Sequence, residues 1–270
     1  MTVQLFISPH LLVDPIALGA DAPPASAEQE PSLTLCSSDV FFGAAGAFSQ
    51  AVGTAVRRTP TFAKLSAARS DGWTVRWTSQ FIWLAQGEVS SARYEWHIDR
   101  VGPGWTADSG EVADYSDNVR AAADEMMFGV VSYFWPDSTE DGALADLGTE
   151  FFMEPFAVPL ERLVDDPRVV GQAISRCVDD LATPGRPVAH GSNVVTWFGA
   201  RTLHRPPIAD RPGWRFFLRV GLYREPHSPY MDHRLLCHRI WDSRARQSWF
   251  RPVGTQLSRS TWDGPLSRPV

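Results

Sequence analysis

The sequence predicts a mainly β protein with flanking helices (an α+β class), arranged as a sandwich or barrel. Several short segments alternate apolar and polar residues, a period of two that is typical of strands. Turn-forming residues separate these segments, which is the pattern of sandwiches and barrels. Spacing of apolar residues at intervals of three and four, which is typical of helices, is confined to fewer stretches.

The clearest predicted strand covers residues 214–223, WRFFLRVGLY. Its alternation places Arg215 and Arg219 on one face and four apolar side chains on the other. Further strands are predicted within 94–99, 129–135 and 189–198, the second of them an almost wholly apolar run.

Helices are predicted within residues 43–70, over 116–127 and over 158–182. A length of 270 residues is compatible with one large domain, so we expect residues 1–270 to form a single domain.

The composition excludes several classes of partner and compartment. The net charge of -6 opposes binding to phosphate backbones and anionic lipid, so we expect neither nucleic acid nor membrane as a partner. The three cysteines are widely separated, which indicates a reducing environment rather than a disulfide framework. The first residues lack the pattern of a secretory signal, and no apolar run approaches the ~18 residues of a membrane span. We therefore expect a cytoplasmic protein.

The triplet His97-Ile98-Asp99 is the first candidate for chemistry. Residues two apart on a strand point to the same side, so an imidazole and a carboxylate would project together. With a second histidine from a distant strand, they would form the 2-His-1-carboxylate set that suits Fe(II) and dioxygen. The triplet taken alone favours a surface histidine or a hydrogen-bonded histidine in the core over a metal ligand.

His204 and two arginines strengthen the metal interpretation. His204 follows a strand-like run, and Arg215 and Arg219 lie on one face of the next strand. A guanidinium suits a carboxylate at the bottom of a pocket, and two arginines on an apolar strand are difficult to bury without an anion. The alternatives are that they pair with internal acidic residues or lie on a solvated face.

The order of these motifs resembles that of the Fe(II)- and 2-oxoglutarate-dependent dioxygenases, with the prolyl-hydroxylase-like and phytanoyl-hydroxylase-like branches most similar. The order is His-x-Asp, a strand ending in aromatic residues, Gly-x-Leu, a Gly-x-x-Val strand, histidine, and arginine on the last strand. The resemblance covers roughly residues 91–224. It implies a double-stranded β-helix, or cupin-like jelly roll, over about 91–224, with an N-terminal cover over about 1–90 and a C-terminal extension over 225–270.

The resemblance also implies roles for individual residues. His97, Asp99 and His204 match the iron ligands. Arg215 or Arg219 matches the residue that binds the far carboxylate of 2-oxoglutarate. The spacing from His204 favours Arg215, whereas the surrounding residues favour Arg219, so the choice stays open.

Tyr133 matches a position where some family members place a hydroxyl on the same carboxylate. The chain departs from the family's Arg-x-Ser or Arg-x-Thr pattern, because Phe217 and Gly221 stand two places after the two arginines.

The implied cofactors are Fe(II), 2-oxoglutarate as co-substrate, and O2. The implied reaction is hydroxylation, desaturation or cyclisation of a small molecule, such as an amino acid or a secondary-metabolite intermediate, with release of succinate and CO2. The carboxylate of Asp99 argues against halogenation, because halogenating relatives leave that position empty for chloride.

Two further residues are candidates for substrate contact. Arg100 begins a loop rich in Gly and Pro, a kind of loop that often shapes substrate sites. Trp197 is the second candidate for lining the pocket, although a role in the core is favoured for it. Two other functions stay open at this point, namely a cupin-like iron oxygenase or isomerase that needs no 2-oxoglutarate, and a non-catalytic jelly-roll binding protein.

Overall fold

The structure is a computed structural model, and it describes residues 3–7, 10–18, 24, 29–30, 32–35, 38–68, 73–89, 96–97, 127–137, 147–154, 156–160, 177, 188–199, 202–224 and 239–241. Within these ranges the helices are Ser38–Ala44 (α1), Ala47–Arg57 (α2) and Pro60–Ala67 (α3). The strands, β1 to β12 in chain order, are Val3–Ile7, Leu11–Pro15, Ser32–Leu35, Trp73–Leu84, Met127–Pro136, Glu150–Phe151, Phe156–Leu160, Val188–Ala189, Val194–Gly199, His204–Arg205, Gly213–Arg224 and Arg239–Trp241.

Helices α2 and α3 begin at positions with clear capping signals. The Glu30 carboxylate accepts hydrogen bonds from the backbone N–H and the hydroxyl of Ser49 at 3.1 and 2.7 Å, so an anion lies at the N-terminus of α2. Thr59 caps α3, because its hydroxyl accepts from the Phe62 N–H at 3.3 Å and Pro60 occupies the first turn. These helices confirm the helical prediction within 43–70.

A large antiparallel sheet has the strand order β12-β3-β4-β11-β5-β9-β2. Strand β11 lies at its centre and pairs along most of its length with β4 on one side and β5 on the other. The bounds of β5, β9 and β11 confirm the strands predicted within 129–135, 189–198 and 214–223, the last of them from its period of two. A separate antiparallel pair is formed by β1 and β7.

A small sheet has the order β10-β6-β8. Isolated antiparallel bridges pair Val89 with Ile208 and His97 with His204, so His97 borders β10 at the edge of this sheet. Eight strand positions run from β4 to β11 when His97, which bridges to β10, is counted as one and β7, which pairs with β1, is left out. The first, eighth, third and sixth of them (β4, β11, β5 and β9) lie side by side in the large sheet, and the second, seventh, fourth and fifth (His97, β10, β6 and β8) in the small one. This alternation between two facing sheets is the topology of a jelly roll.

The two faces of the large sheet differ in what covers them. The outer face packs against the helices: the rings of Phe41 and Trp77 stack at 5.5 Å, and Phe48 contacts Phe216 edge-on at 4.7 Å. The inner face points to the small sheet, where Phe198 contacts Phe151 at 5.2 Å. Each large apolar side chain that is fully buried in this way stabilises the fold by roughly 1.5–3 kcal/mol.

The structure moves one predicted boundary and leaves others untested. The jelly roll begins at β4 and not at about residue 91, because β4 pairs with the central strand over its whole length. In the C-terminal extension 225–270, the described strand β12 pairs with β3. Residues 158–160 of the predicted helix over 158–182 lie in strand β7. Of the predicted helix over 116–127, Met127 begins strand β5 and the other residues lie outside the described ones. The single-domain organisation stays a prediction.

Of the helices in the described ranges, none has the length and apolar character needed to cross a bilayer.

Candidate functional site

His97 and His204 lie opposite each other on neighbouring strands. The His97 N–H donates to the His204 carbonyl at 3.0 Å, and the His204 N–H donates to the His97 carbonyl at 2.9 Å. Residues paired in this way point their side chains to the same side, and the two ring centroids are 4.5 Å apart. Two residues that are distant in sequence therefore place their imidazoles next to each other.

The pair lies between the two sheets. The His204 ring is 4.7 Å from the ring of Phe198, which belongs to the inner face of the large sheet, and 6.2 Å from that of Phe151. His204 is only 6% exposed, whereas His97 is half-buried. The imidazoles therefore lie at the side of the jelly-roll interior, among aromatic rings.

A hydrogen bond defines the tautomer of His204. Its Nδ1 is 2.9 Å from the Thr202 carbonyl oxygen, which can only accept, so Nδ1 carries the proton. The lone pair is then on Nε2. Metal-binding histidines are commonly oriented by this kind of bond to a backbone carbonyl.

The two predicted ligands among the described residues, His97 and His204, have side chains that suit an iron site. Two adjacent imidazoles, one oriented by its second nitrogen, match the histidine pair that a facial triad contains. Asp99, the predicted carboxylate ligand, lies outside the described residues. The described part of the chain contains no group of three His, Cys, Asp or Glu residues placed to bind a metal ion. The third ligand therefore stays a prediction.

Arg215 is on the inner face of the large sheet and is 2% exposed. Its Nη2 donates to the Ser132 hydroxyl at 2.9 Å and its Nε donates to the Leu147 carbonyl at 3.5 Å. The guanidinium also lies over the ring of Phe217, 4.9 Å from the centroid. These contacts fix a buried cation in one orientation between the sheets.

Arg219 is on the same face of β11, four residues further along, which on a strand is about 13 Å. Its guanidinium lies over the Phe128 ring at 4.3 Å, and the Phe128 ring is 5.5 Å from that of Phe198. Because Phe198 contacts His204, two successive ring contacts connect Arg219 to the histidine pair. The sequence analysis predicted that both arginines share a face, and the structure confirms it.

Tyr133 is not brought to the inner face. In the pairing of β5 with β11 it lies opposite Phe216, whereas Arg215 lies opposite Phe134, so Tyr133 and Arg215 point to opposite sides of the sheet. The Tyr133 hydroxyl donates to Oδ1 of Asn193 at 3.1 Å in the helix-covered core. Burial raises the pKa of Tyr133 to about 12, so the phenol is neutral. This position corrects the expectation that Tyr133 binds 2-oxoglutarate.

Trp197 is also on the outer face. Its Nε1 donates to a carboxylate oxygen of Asp14 at 3.1 Å, and its ring is 6.0 Å from that of Phe62 in α3. Trp197 therefore belongs to the core under the helices, which corrects its assignment as a substrate contact. Arg100 lies outside the described residues, so its predicted role is untested.

Two inner-face residues were not predicted from the sequence. Ser132 supplies the hydroxyl beside Arg215, and the alternation of β5 carries the signal that could have found it. His190 lies between the sheets, with Nδ1 3.0 Å from the Thr196 hydroxyl and its ring 6.5 Å from that of Phe151. Burial lowers the pKa of His190 below its usual value of 6.5.

The strand order and the paired histidines define the chain as a jelly-roll protein with a candidate metal centre between its sheets. No protein-family model matches the sequence, and no curated protein matches it at a significant level.

Among solved structures, the chain is similar to EvdMO1, with a TM-score of 0.30 and 15% identity over 63% of this chain and 32% of that protein. The chain thus spans about a third of the length of EvdMO1. It is similar to an N-substituted L-amino acid dioxygenase from Burkholderia ambifaria AMMD, with a TM-score of 0.34 and 15% identity over 74% and 80% of the two chains. It is similar to EctD from S. alaskensis, solved with 2-oxoglutarate and 5-hydroxyectoine, with a TM-score of 0.26 and 14% identity over 81% and 83%. Because these TM-scores and identities are low, the assignment of a jelly roll rests on the strand order of this protein itself.

Proposed function

We propose that the protein is a mononuclear non-haem iron oxygenase that uses 2-oxoglutarate to oxidise a small molecule. The observation that supports this proposal best is the cross-strand pair of His97 and His204, whose ring centroids are 4.5 Å apart between the sheets. In this proposal Asp99 is the third ligand, since it stands two residues after His97. A metal in this set, together with 2-oxoglutarate and dioxygen, would supply oxidative decarboxylation of the keto acid coupled to oxidation of the substrate.

The residues of the chain would bind and orient the reactants. Arg215 and the Ser132 hydroxyl would hold the far carboxylate of 2-oxoglutarate through charge-assisted hydrogen bonds. Arg219 would bind a second anionic group, either the near carboxylate of the keto acid or one on the substrate. The rings of Phe128, Phe151 and Phe198 would exclude water around the histidine pair, which strengthens the electrostatic interactions within the site.

The first experiment tests binding and turnover of the wild type. We expect anaerobic addition of Fe(II) and 2-oxoglutarate to produce a weak visible charge-transfer band, and admission of oxygen to produce succinate. His97→Ala and His204→Ala should each abolish both signals, because each removes one of the two metal-binding imidazoles. His10→Ala is the matched control, since His10 is exposed and its contact with Thr202 is made by its backbone N–H.

Three outcomes would contradict the proposal or redirect it. A folded wild type that gives no band and no succinate would exclude the function. Retention of succinate formation in both histidine variants would exclude the ligand assignment. Bound stoichiometric iron with substrate turnover in the absence of 2-oxoglutarate would favour the cupin-like oxygenase or isomerase instead.

A further inference from the structure

Arg205 lies on the outside of the small sheet, directly behind the histidine pair. His204 points inward, so the next residue of β10 points outward, and the same alternation turns Trp96 outward beside His97. Arg205 pairs across the sheet with Glu150 of β6, as His204 pairs with Phe151. His97, His204 and Phe151 point into the space between the sheets. Their neighbours in sequence, Trp96, Arg205 and Glu150, lie together on the opposite surface of the small sheet.

The contacts of Arg205 connect these strands. Its guanidinium carbon is 4.5 Å from the centroid of the Trp96 ring, within the range of a cation–π interaction. Its Nε donates to Oε2 of Glu150 at 2.5 Å. The Trp96 ring packs edge-on against Phe152 at 5.8 Å. One side chain therefore joins the segment bearing His97, the strand bearing His204, and β6.

Among the described residues, the backbone holds His97 through a single isolated bridge. Strands β6 and β10 have two residues each, and in the described part of the chain the link between His97 and β10 is an isolated bridge with two hydrogen bonds. Side-chain contacts across such short pairings contribute much of the stabilisation. Arg205 is partly buried, with 30% of its side chain exposed, so its interactions are screened less than those of a fully exposed ion pair.

We propose that Arg205 is a positioning residue for the metal centre. By holding Trp96 against β10, it keeps the His97 imidazole beside that of His204 and so raises the affinity of the site for a divalent metal. This inference rests on the proposed function, because it assumes that the histidine pair binds a metal. Residues that orient metal ligands typically change metal affinity roughly 10- to 100-fold when they are mutated.

The experiment measures the dissociation constant for Co(II) of metal-stripped protein, from the visible absorption of the bound ion. We expect Arg205→Gln to weaken Co(II) binding at least about tenfold. Arg205→Lys should recover part of the loss, because it keeps the charge over Trp96 and beside Glu150. Glu150→Gln should weaken binding less than Arg205→Gln, since it leaves the contact with Trp96 intact.

Arg57→Gln is the matched control, because Arg57 lies over the Phe42 ring at 5.2 Å on the helix-covered side, away from the histidines. Its loss should leave the Co(II) affinity unchanged, and the melting temperatures of the two glutamine variants should be comparable. Equal Co(II) affinity in the wild type and Arg205→Gln would overturn the positioning role while leaving the proposed function intact. A wild type that binds no Co(II) would overturn both. If Arg205→Gln fails to fold, unchanged affinity in both Arg205→Lys and Glu150→Gln overturns the positioning role.

Discussion

The outer and inner faces of the large sheet are built from the same strands but have different chemistry. On β5, Tyr133 points outward into a cluster of aromatic rings, and its neighbour Ser132 points inward to a buried guanidinium. On β11, Phe216 packs under α2 while Arg215 faces the small sheet. The outer face packs against the helices, and the proposed function assigns binding of the reactants to the inner face.

Buried aromatic side chains stabilise both faces of the large sheet. Truncation of a fully buried aromatic residue, such as Phe216 on the outer face or Phe198 on the inner face, typically costs about 3–5 kcal/mol. A buried arginine, in contrast, is rarely more stabilising than an apolar residue of similar size, because its desolvation opposes its interactions. In the proposed function, the arginines on the inner face bind anionic groups of the reactants.

The largest effect is expected for Arg215→Met. Loss of hydrogen bonds to a charged group costs about 1.5–3 kcal/mol, so the KM for 2-oxoglutarate should rise roughly 10- to 100-fold. The free energy of unfolding should change little, because methionine fills similar space without a buried charge. Succinate formation and urea denaturation measure the two quantities, and Arg211→Gln, at an exposed ion pair with Asp210, is the control. An unchanged KM in Arg215→Met, with a raised KM in Arg219→Met, would assign the carboxylate to the other arginine.

For Tyr133→Phe we expect a smaller effect, on the stability of the fold and not on the KM for 2-oxoglutarate. This substitution removes the hydrogen bond to Asn193, so the free energy of unfolding should fall by about 1 kcal/mol. The KM for 2-oxoglutarate should not change, because Tyr133 is on the other side of the sheet. A rise in KM without loss of stability would mean that the outer face takes part in co-substrate binding.

The smallest effect is expected for His190→Gln and appears only as a pH dependence. Burial lowers the pKa of His190 in the folded protein, so protonation favours the unfolded state. The neutral form of His190 therefore contributes to the free energy of unfolding. This contribution is complete above the unfolded pKa of 6.5 and is lost as the pH falls through the lower pKa that His190 has in the folded protein. Urea denaturation at about pH 7.5 and about pH 5.5 should show a smaller loss in His190→Gln than in the wild type. His10→Gln, at an exposed histidine, should behave as the wild type does. An equal loss of unfolding free energy in the wild type and in His190→Gln would contradict the conclusion that burial lowers the pKa of His190.

The sequence was most informative where one face of a strand is polar. The run 214–223 alternates clearly, so the shared face of Arg215 and Arg219 could be predicted from the period of two alone. The residue types in His97-x-Asp99 and at His204 indicated a metal site. Their proximity depends on long-range pairing, which the resemblance implied and the structure supplied for the two histidines.

The sequence was least informative where both faces of a strand are buried. The run Met127–Pro136 is buried along its whole length, so its alternation does not reveal which side faces the interior. Only the register with β11 places Tyr133 outside and Ser132 inside. Trp197 was misassigned for the same reason, and β4 was assigned to the N-terminal cover because its partner lies far along the chain.

The central place of β11 has a consequence for how the chain is assembled during synthesis. Strands β4 and β5 have no direct pairing in the described sheet, and each borders β11, which is translated well after both. Until that segment leaves the ribosome, both earlier strands lack their shared neighbour and present open hydrogen-bonding edges. Topologies dominated by such distant pairings fold slowly, so nascent chains of this protein depend on the late strand to close the sheet.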